Sequence, residues 1–267
     1  MQSDGLSDRI KKYNSDGNHF TDDSIQSEKV MEQAINQNIK EYAHTKINEL
    51  FPEGELIIRK KVSVYELKKI QQRVYSDAPI PHEKEKTKFI TPDGGIWFLK
   101  LNEKEIPILI IEDKKQGTND KLFSEGRNKQ STGNAIERFA KNVRACEMLF
   151  HEYDIFPYVL FASGCDFHPS ETISDRIVVG NYGYPNHQIT IDPSKEDEIV
   201  YKDIIQEIEK INIKKKFGKD CVMIPFIKSH KWDEMPHNSS NWKIDEIIII
   251  CHKVLDLSFE SILKVDT

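Results

Sequence analysis

The sequence predicts an α/β fold, a single domain with a mixed central β-sheet flanked by helices. Two kinds of observation carry that prediction. β-rich runs at Ile96 to Leu101, Ile106 to Ile111 and Tyr158 to Ala162 supply strands, and the polar Asn102-Glu103-Lys104-Glu105 between the first two suits a hairpin turn. Segments with apolar residues at three- and four-residue spacing supply helices around them. The 267 residues are ample for a buried core, and no internal repeat or strong linker divides the chain.

Taken in order, residues 1–22 are polar and rich in Gly, Asp and Ser, which predicts a mobile N-terminal arm; residues 23–267 form the domain. Asp22-Asp23-Ser24 can cap a helix whose apolar positions are Val30, Met31, Ile35, Ile39, Tyr42, Ile47 and Leu50. Residues 55–75 mix a strand and a helix, and Ser76 to Thr87 is a Pro-containing loop. After the hairpin, a helix starts at Ala135, with Ile136, Phe139, Ala140, Val143 and Met148 on its apolar stripe. The strand at Tyr158 to Ala162 is expected to lie parallel to the sheet. Residues 165–190 read as loops and short strands, Ile199 to Ile211 as a helix, and Val222 to Ile227 and Ile247 to Ile250 as later strands.

The chemistry-bearing residues cluster around the hairpin. Thr91-Pro92-Asp93-Gly94-Gly95 precedes its first strand, and Glu112-Asp113-Lys114-Lys115-Gln116-Gly117 closes its second. With the tetrapeptide as pivot, Asp93 lies opposite Lys114 and diagonal to Glu112, so two carboxylates can share one cation. Strand side chains alternate faces, so Glu112 and Lys114 point one way and Asp113 and Lys115 the other. Either Glu112-x-Lys114 or Asp113-x-Lys115 can therefore be the working set, but not both. Hydrolysis of a phosphodiester needs water delivered in line to a phosphorus shielded by negative oxygens. Mg²⁺, which prefers hard oxygen ligands and retains several waters, meets that need, and Asp93 and Glu112 are suitable ligands. Lys114 can orient or help deprotonate the water and offset transition-state charge. A Glu-x-Lys tripeptide alone would read as a surface ion pair. It is the preceding Pro-Asp-Gly-Gly and the apolar Ile108-Leu109-Ile110-Ile111 that point to a catalytic site.

A second segment, Gly133-Asn134-Ala135-Ile136-Glu137-Arg138, has the composition of a base reader. Asn suits bidentate hydrogen bonding to adenine and Arg suits purine acceptors in the major groove. Gly133 and Ala135 carry almost no side chain, which lets the backbone approach the bases. Glu137, Arg138, Lys141 and Arg144 occupy the polar face of the following helix, which without this segment would read as an ordinary solvated surface.

Bulk composition agrees with a patterned rather than a uniformly basic protein. The net charge of −6 argues against nonspecific polyanion binding. Locally, however, Arg127, Lys129, Arg138, Lys141 and Arg144 face only Glu137, while acidic density sits at Asp192 to Asp203. Cys146, Cys165, Cys221 and Cys251 are widely spaced, and no apolar run is long enough for a membrane span. That pattern predicts reduced thiols, no zinc site, no membrane and a cytoplasmic location. His230, His237 and Asn238 lack the ββα context of a histidine-based nuclease motif. A DNA methyltransferase would need a glycine-rich cofactor loop and an Asn/Asp-Pro-Pro-aromatic motif, and an ATP-driven translocase a P-loop; none of the three patterns occurs.

On these residues the chain resembles the EcoRI-type family of type II restriction endonucleases, within the PD-(D/E)xK nuclease superfamily. The shared pattern is Pro92-Asp93-Gly94-Gly95, Glu112-Asp113-Lys114 with Gln116-Gly117, and Gly133 to Arg138. It continues through Phe156-Pro157-Tyr158-Val159-Leu160-Phe161, Gly164, Phe167, Asn181-Tyr182-Gly183 and Pro185. Trp242 to Leu263 resembles the family's last strand and helix. The chain departs from the pattern at Asp113, Lys115 and Gln130-Ser131-Thr132. Aligning Gln116-Gly117 selects Glu112 and Lys114 over Asp113 and Lys115. The resemblance implies a restriction-endonuclease-like fold and a homodimer acting on double-stranded DNA with Mg²⁺. It implies cleavage of both strands of a palindrome with an AATT core to leave 5′ overhangs, and a cognate DNA methyltransferase in the same restriction-modification system. It assigns catalysis to Asp93, Glu112 and Lys114, and DNA contact to Gly133, Asn134, Ala135, Glu137, Arg138 and Lys141. A repair or structure-specific nuclease of the superfamily is the alternative; it would share the catalytic residues but have no use for Gly133 to Arg138.

Overall fold

The expected hairpin lies within the central sheet. A computed structural model describes residues 29–75, 77–115, 142–143, 145–146, 157–163, 189–191, 224–228 and 242–265. Residues 29–34 are helical and run through a π-helical turn (Ile35–Ile39) into α1 (Lys40–Leu50). Then come β1 (Glu55–Arg59), β2 (Val62–Ser63), α2 (Val64–Val74), a 3-10 turn (Glu83–Thr87), β3 (Phe89–Ile90), β4 (Gly95–Leu101) and β5 (Lys104–Lys115). Farther along are β6 (Tyr158–Ser163), β7 (Ile189–Ile191), β8 (Ile224–Lys228) and α3 (Ile244–Val265). The main sheet has the order β1-β4-β5-β6-β8-β7, with β2 and β3 paired separately. β1, β4 and β5 run antiparallel, whereas β5, β6, β8 and β7 run parallel, so the sheet is mixed as expected.

Each local form has a visible cause. Along the first helix the buried positions are Met31, Ala34, Ile39, Ala43 and Ile47. The five-residue step from Ala34 to Ile39 spans the π-helical turn, whose extra residue keeps one apolar face toward the core. Ser63 caps α2: its Oγ accepts from Glu66 N at 3.1 Å while the Glu66 carboxylate accepts from Ser63 N at 2.9 Å. β5 and β6 are buried on both faces from Ile108 to Glu112 and from Tyr158 to Ser163, as strands in the middle of a covered sheet must be. One face packs Trp97, Leu109, Ile111, Val159 and Phe161 against α1 and α3. The other carries Ile110, Glu112, Tyr158 and Leu160.

The hairpin register differs from the expected one. The connection is the two-residue Asn102-Glu103, because Asn102 takes φ 54° and allows a tight turn; Lys104 and Glu105 are already in β5, paired with Leu101 and Lys100. A bulge then shifts the pairing between Trp97 and Phe98, which face Leu109 and Pro107. Pro107 has no N–H to give to the ladder, and the carbonyl of the extra residue, Ile108, instead accepts from Ser258 Oγ of α3 at 2.8 Å.

The expected strand at Ile247 to Ile250 is not one. Those residues lie in α3, a 22-residue helix. Its N-terminus is held by Glu246, whose carboxylate accepts from Lys243 N at 2.8 Å, with Asp245 and Glu246 in its first turn. Ile247, Ile250, Cys251, Val254, Leu255, Ser258, Phe259 and Ile262 form its buried stripe at helical spacing. The short isoleucine run hid a period that becomes visible only over the longer window. β6 and β8 lie close to the expected strands, and β7 falls at the end of the 165–190 stretch. The N-terminal arm over residues 1–22, most of 165–190 and the helix at Ile199 to Ile211 lie outside the described residues. No helix among the described residues is long and apolar enough to cross a membrane.

Candidate active site

The Pro92-Asp93-Gly94-Gly95 turn is pinned to β5 through its glycines. Gly94 N donates to Ile111 O at 2.9 Å, and a Cβ on Gly94 would lie 2.5 Å from Ile111 Cβ, so only glycine fits this close approach. Gly95 takes φ +81°, a left-handed conformation that favours glycine. The Trp97 indole donates to Gly94 O at 2.9 Å from beneath. Held in this way, Asp93 accepts from Asp113 N through Oδ2 at 3.0 Å. Asp93 thus faces the Glu112-Asp113-Lys114 end of β5, one residue from the expected pairing.

Asp93, Glu112 and Lys114 come together. Lys114 Nζ lies 2.5 Å from Asp93 Oδ2 and 2.5 Å from Glu112 Oε1, and it also donates to Asp113 O at 2.9 Å. One ammonium therefore sits between two carboxylates. The three side chains grade outward: Glu112 is fully buried, Lys114 is 20% exposed and Asp93 is 41% exposed, so the cluster opens on the Asp93 side. It stands at the carboxyl end of β5 beside the carboxyl end of β6, the edge at which parallel strands present ligand sites.

Among the described residues, two not anticipated from the sequence also bond Glu112. Asn142 Nδ2 donates to Glu112 Oε1 at 3.0 Å, and the Tyr158 hydroxyl donates to Oε2 at 3.2 Å. Asn142 lies in a helical stretch with buried Val143 and Cys146. Its sequence signal was a polar residue three positions after Phe139 of the predicted apolar stripe; in the structure it is half-buried. Tyr158 signalled itself as the one hydroxyl in an otherwise apolar strand start.

The electrostatics follow from burial. Loss of water pushes the Glu112 carboxyl above its ordinary range; Lys114 pulls against that, and the negative charge of Asp93 adds to it. Burial alone would lower Lys114, but Glu112 and Asp93 outweigh it and hold the ammonium above its ordinary range. Tyr158 is raised far above the usual phenol range by burial and by Glu112, so it remains a donor. The Cys146 thiol is likewise raised by burial and by Glu112, and stays protonated.

This donor set fits a hard divalent cation. Lys114 Nζ already holds positive charge between the two carboxylates, and a cation there would relieve the strained ionisation of Glu112. Among the described residues no group of three or more His, Cys, Asp or Glu side chains gathers. Two carboxylates are nevertheless a normal protein share for Mg²⁺, which keeps waters and takes phosphate oxygens for the rest. The competing pair is built differently. Asp113 lies on the face of Ile111 and Phe161, and that face is packed by Trp242, whose ring meets Phe161 edge-on at 5.1 Å and whose indole donates to Ala162 O.

Gly133, Asn134, Ala135, Glu137, Arg138 and Lys141 lie outside the described residues, as do His230, His237, Asn238, Cys165 and Cys221. Cys146 and Cys251 are free and buried. Comparison with curated proteins gave no match. The sequence matches the profile of the family described as Restriction endonuclease EcoRI over residues 18–265, nearly the whole chain. The chain therefore belongs to the EcoRI restriction endonuclease family and is a type II restriction endonuclease acting on DNA.

Proposed function

We propose that the protein is a homodimeric, Mg²⁺-dependent endonuclease that cuts both strands of a short palindrome with an AATT core and leaves 5′ overhangs. It would work in the cytoplasm beside a cognate DNA methyltransferase, as one half of a restriction-modification system. The observation that carries the catalytic part is the Lys114 ammonium bridging Asp93 and Glu112 at the carboxyl end of β5. Twofold symmetry suits the task, because each strand needs one active centre and a palindrome matches a twofold protein.

Asp93 and Glu112 are the residues that would hold the ion. Bound there, Mg²⁺ supplies polarisation of a phosphoryl oxygen and a lower pKa for the attacking water. The Pro92 to Gly95 turn orients Asp93 through the Asp113 N–H, and the sheet fixes Glu112, so neither carboxylate need reorganise during reaction. Lys114, kept cationic by its two neighbours, donates to water or to phosphoryl oxygens and offsets the charge that develops on them. The exposed Asp93 side is the approach for the phosphodiester, and the buried Glu112 side excludes bulk water.

Site reading is assigned to Gly133, Asn134, Ala135, Glu137, Arg138 and Lys141, with Asn134 and Arg138 on base edges and Lys141 on phosphate. In this reading residues 1–22 are an arm and residues 23–267 the catalytic and recognition domain. A structure-specific repair nuclease would use the same Asp93, Glu112 and Lys114, but the family match over residues 18–265 favours the restriction enzyme. Digesting a plasmid of known sequence with Mg²⁺ and mapping the ends tests the proposal. Paired cuts at AATT-containing palindromes are expected; nicks without sequence preference, or cutting confined to flaps and mismatches, would contradict it.

A further inference from the structure

We propose that Asn142 and Tyr158 are paired positioning residues for the Glu112 carboxylate, and that Asn142 ties its own helical stretch to the catalytic centre. This rests on the reading of Asp93, Glu112 and Lys114 as the catalytic set. The two donors reach Glu112 from different elements and take different oxygens: Asn142 Nδ2 meets Oε1 at 3.0 Å, and the Tyr158 hydroxyl meets Oε2 at 3.2 Å. With both oxygens bonded, rotation of the carboxylate about its last bond is stopped. Its plane is set by the relative position of a helix and of β6.

Both donors are suited to this work because neither brings a charge. A cationic partner would compete with a metal ion for Glu112, as Lys114 does; an amide and a phenol orient the carboxylate and leave its charge available. A carboxylate oxygen can only accept, so the amide must present its nitrogen, and Tyr158 stays protonated in this setting. Tyr158 is held in register because its β5 partner across the parallel ladder is Ile110, two residues before Glu112 on the same face. Asn142 is held by its buried helical neighbours Val143 and Cys146. Asn142 and its described neighbours are helical, so a shift of this stretch along its axis would move the amide off Oε1. The hydrogen bond thus makes the plane of a catalytic carboxylate depend on where this helical stretch sits.

The test uses the full-length protein with a duplex bearing its mapped cleavage site. Asn142→Ala, Asn142→Asp and Tyr158→Phe are compared with the wild type in single-turnover cleavage with Mg²⁺. Ca²⁺ binding to the protein–duplex complex is followed by calorimetry, together with duplex affinity and the melting temperature. Each variant is expected to lose about 10- to 100-fold in cleavage rate and in Ca²⁺ affinity, with duplex affinity and melting temperature close to wild type. Asn142→Asp, which keeps the shape but replaces the donor by a second carboxylate, should lose at least as much as Asn142→Ala. In a Glu112→Ala background, Asn142→Ala should weaken Ca²⁺ binding no further. Unchanged Ca²⁺ affinity, or an undiminished further loss in the Glu112→Ala background, would overturn the proposal. If Asn142→Ala does not fold, Tyr158→Phe, which removes a single atom, carries the same test. Cleavage by Glu112→Ala itself would instead show that the active-site reading beneath the proposal is wrong.

Discussion

Replacing Gly94 by alanine should disable the enzyme through geometry alone. The added Cβ would stand 2.5 Å from Ile111 Cβ and 2.9 Å from Ile111 Cγ2. Ordinary carbon–carbon contact is about 3.5–4.0 Å, so the turn must retreat by roughly 1 Å or more. Ile111 cannot give way, because its Cβ is the branch point of a side chain on a strand buried on both faces. Retreat breaks the 2.9 Å bond from Gly94 N to Ile111 O and draws Asp93 from the Asp113 N–H that orients it. Overpacking of this kind costs about 1–3 kcal/mol in stability, and a displacement of about 1 Å at a reacting centre can cost on the order of 100-fold in rate. Single-turnover cleavage of a site-bearing duplex measures the rate, and thermal unfolding with Ca²⁺-supported duplex binding shows whether the protein is otherwise whole. Ile111→Ala should not rescue the variant, since alanine keeps the Cβ that clashes. Wild-type cleavage by Gly94→Ala would refute the argument that the turn is pinned in this way.

Lys114→Ala should cost several orders of magnitude in cleavage rate, whereas Lys115→Ala should mainly weaken duplex affinity; equal loss of single-turnover rate would deny either lysine a dedicated role. Asn134→Ala should weaken cognate binding by about 1–3 kcal/mol for the base pair it reads, with little change in nonspecific affinity, while Lys141→Ala should weaken cognate and noncognate duplexes alike and flatten the salt dependence. Both are read by titrating labelled duplexes in Ca²⁺ at two salt concentrations, and unchanged discrimination in Asn134→Ala would remove the recognition assignment. His252 predicts a pH dependence of stability. It stacks on Tyr42 with ring centroids 3.8 Å apart; burial depresses its pKa, and the carboxylate of Asp256, which accepts from Tyr42 Oη at 2.6 Å, only partly restores it. A histidine depressed in the fold binds fewer protons than in the unfolded chain, so its contribution is present above the unfolded value of about 6.5 and is lost as pH falls through it toward the folded value. His252→Phe should keep the stack and flatten that loss, measured as the shift in urea midpoint between about pH 8 and about pH 5.5; a wild-type slope would contradict it.

The parts of the site legible in the sequence were those fixed by local geometry. Pro92 to Gly95, the apolar run before Glu112 and the period of two along β5 brought Asp93 to the Glu112 to Lys115 strand end, and the resemblance at Gln116-Gly117 chose Glu112 and Lys114 over Asp113 and Lys115. The register was not legible to the residue, because it depends on Asn102 adopting a positive φ and on a bulge whose orphan carbonyl is satisfied by Ser258, 150 residues away. The same distance effect hid Tyr158 and Asn142, whose partner is remote in sequence. Ile247 to Ile250 misled for the opposite reason. Four apolar residues fit a strand locally, and only the stripe from Ile247 to Ile262 shows the helix.

Cleavage by two isosteric variants, Glu112→Gln and Asp113→Asn, tests the central claim most directly. Each keeps its side chain's size and removes only the negative charge, on opposite faces of β5. In single turnover with Mg²⁺ the protein should lose all measurable cleavage with Glu112→Gln, keep Ca²⁺-supported duplex binding, and cut near the wild-type rate with Asp113→Asn. An active Glu112→Gln beside an inactive Asp113→Asn would place the chemistry on the other face of the strand.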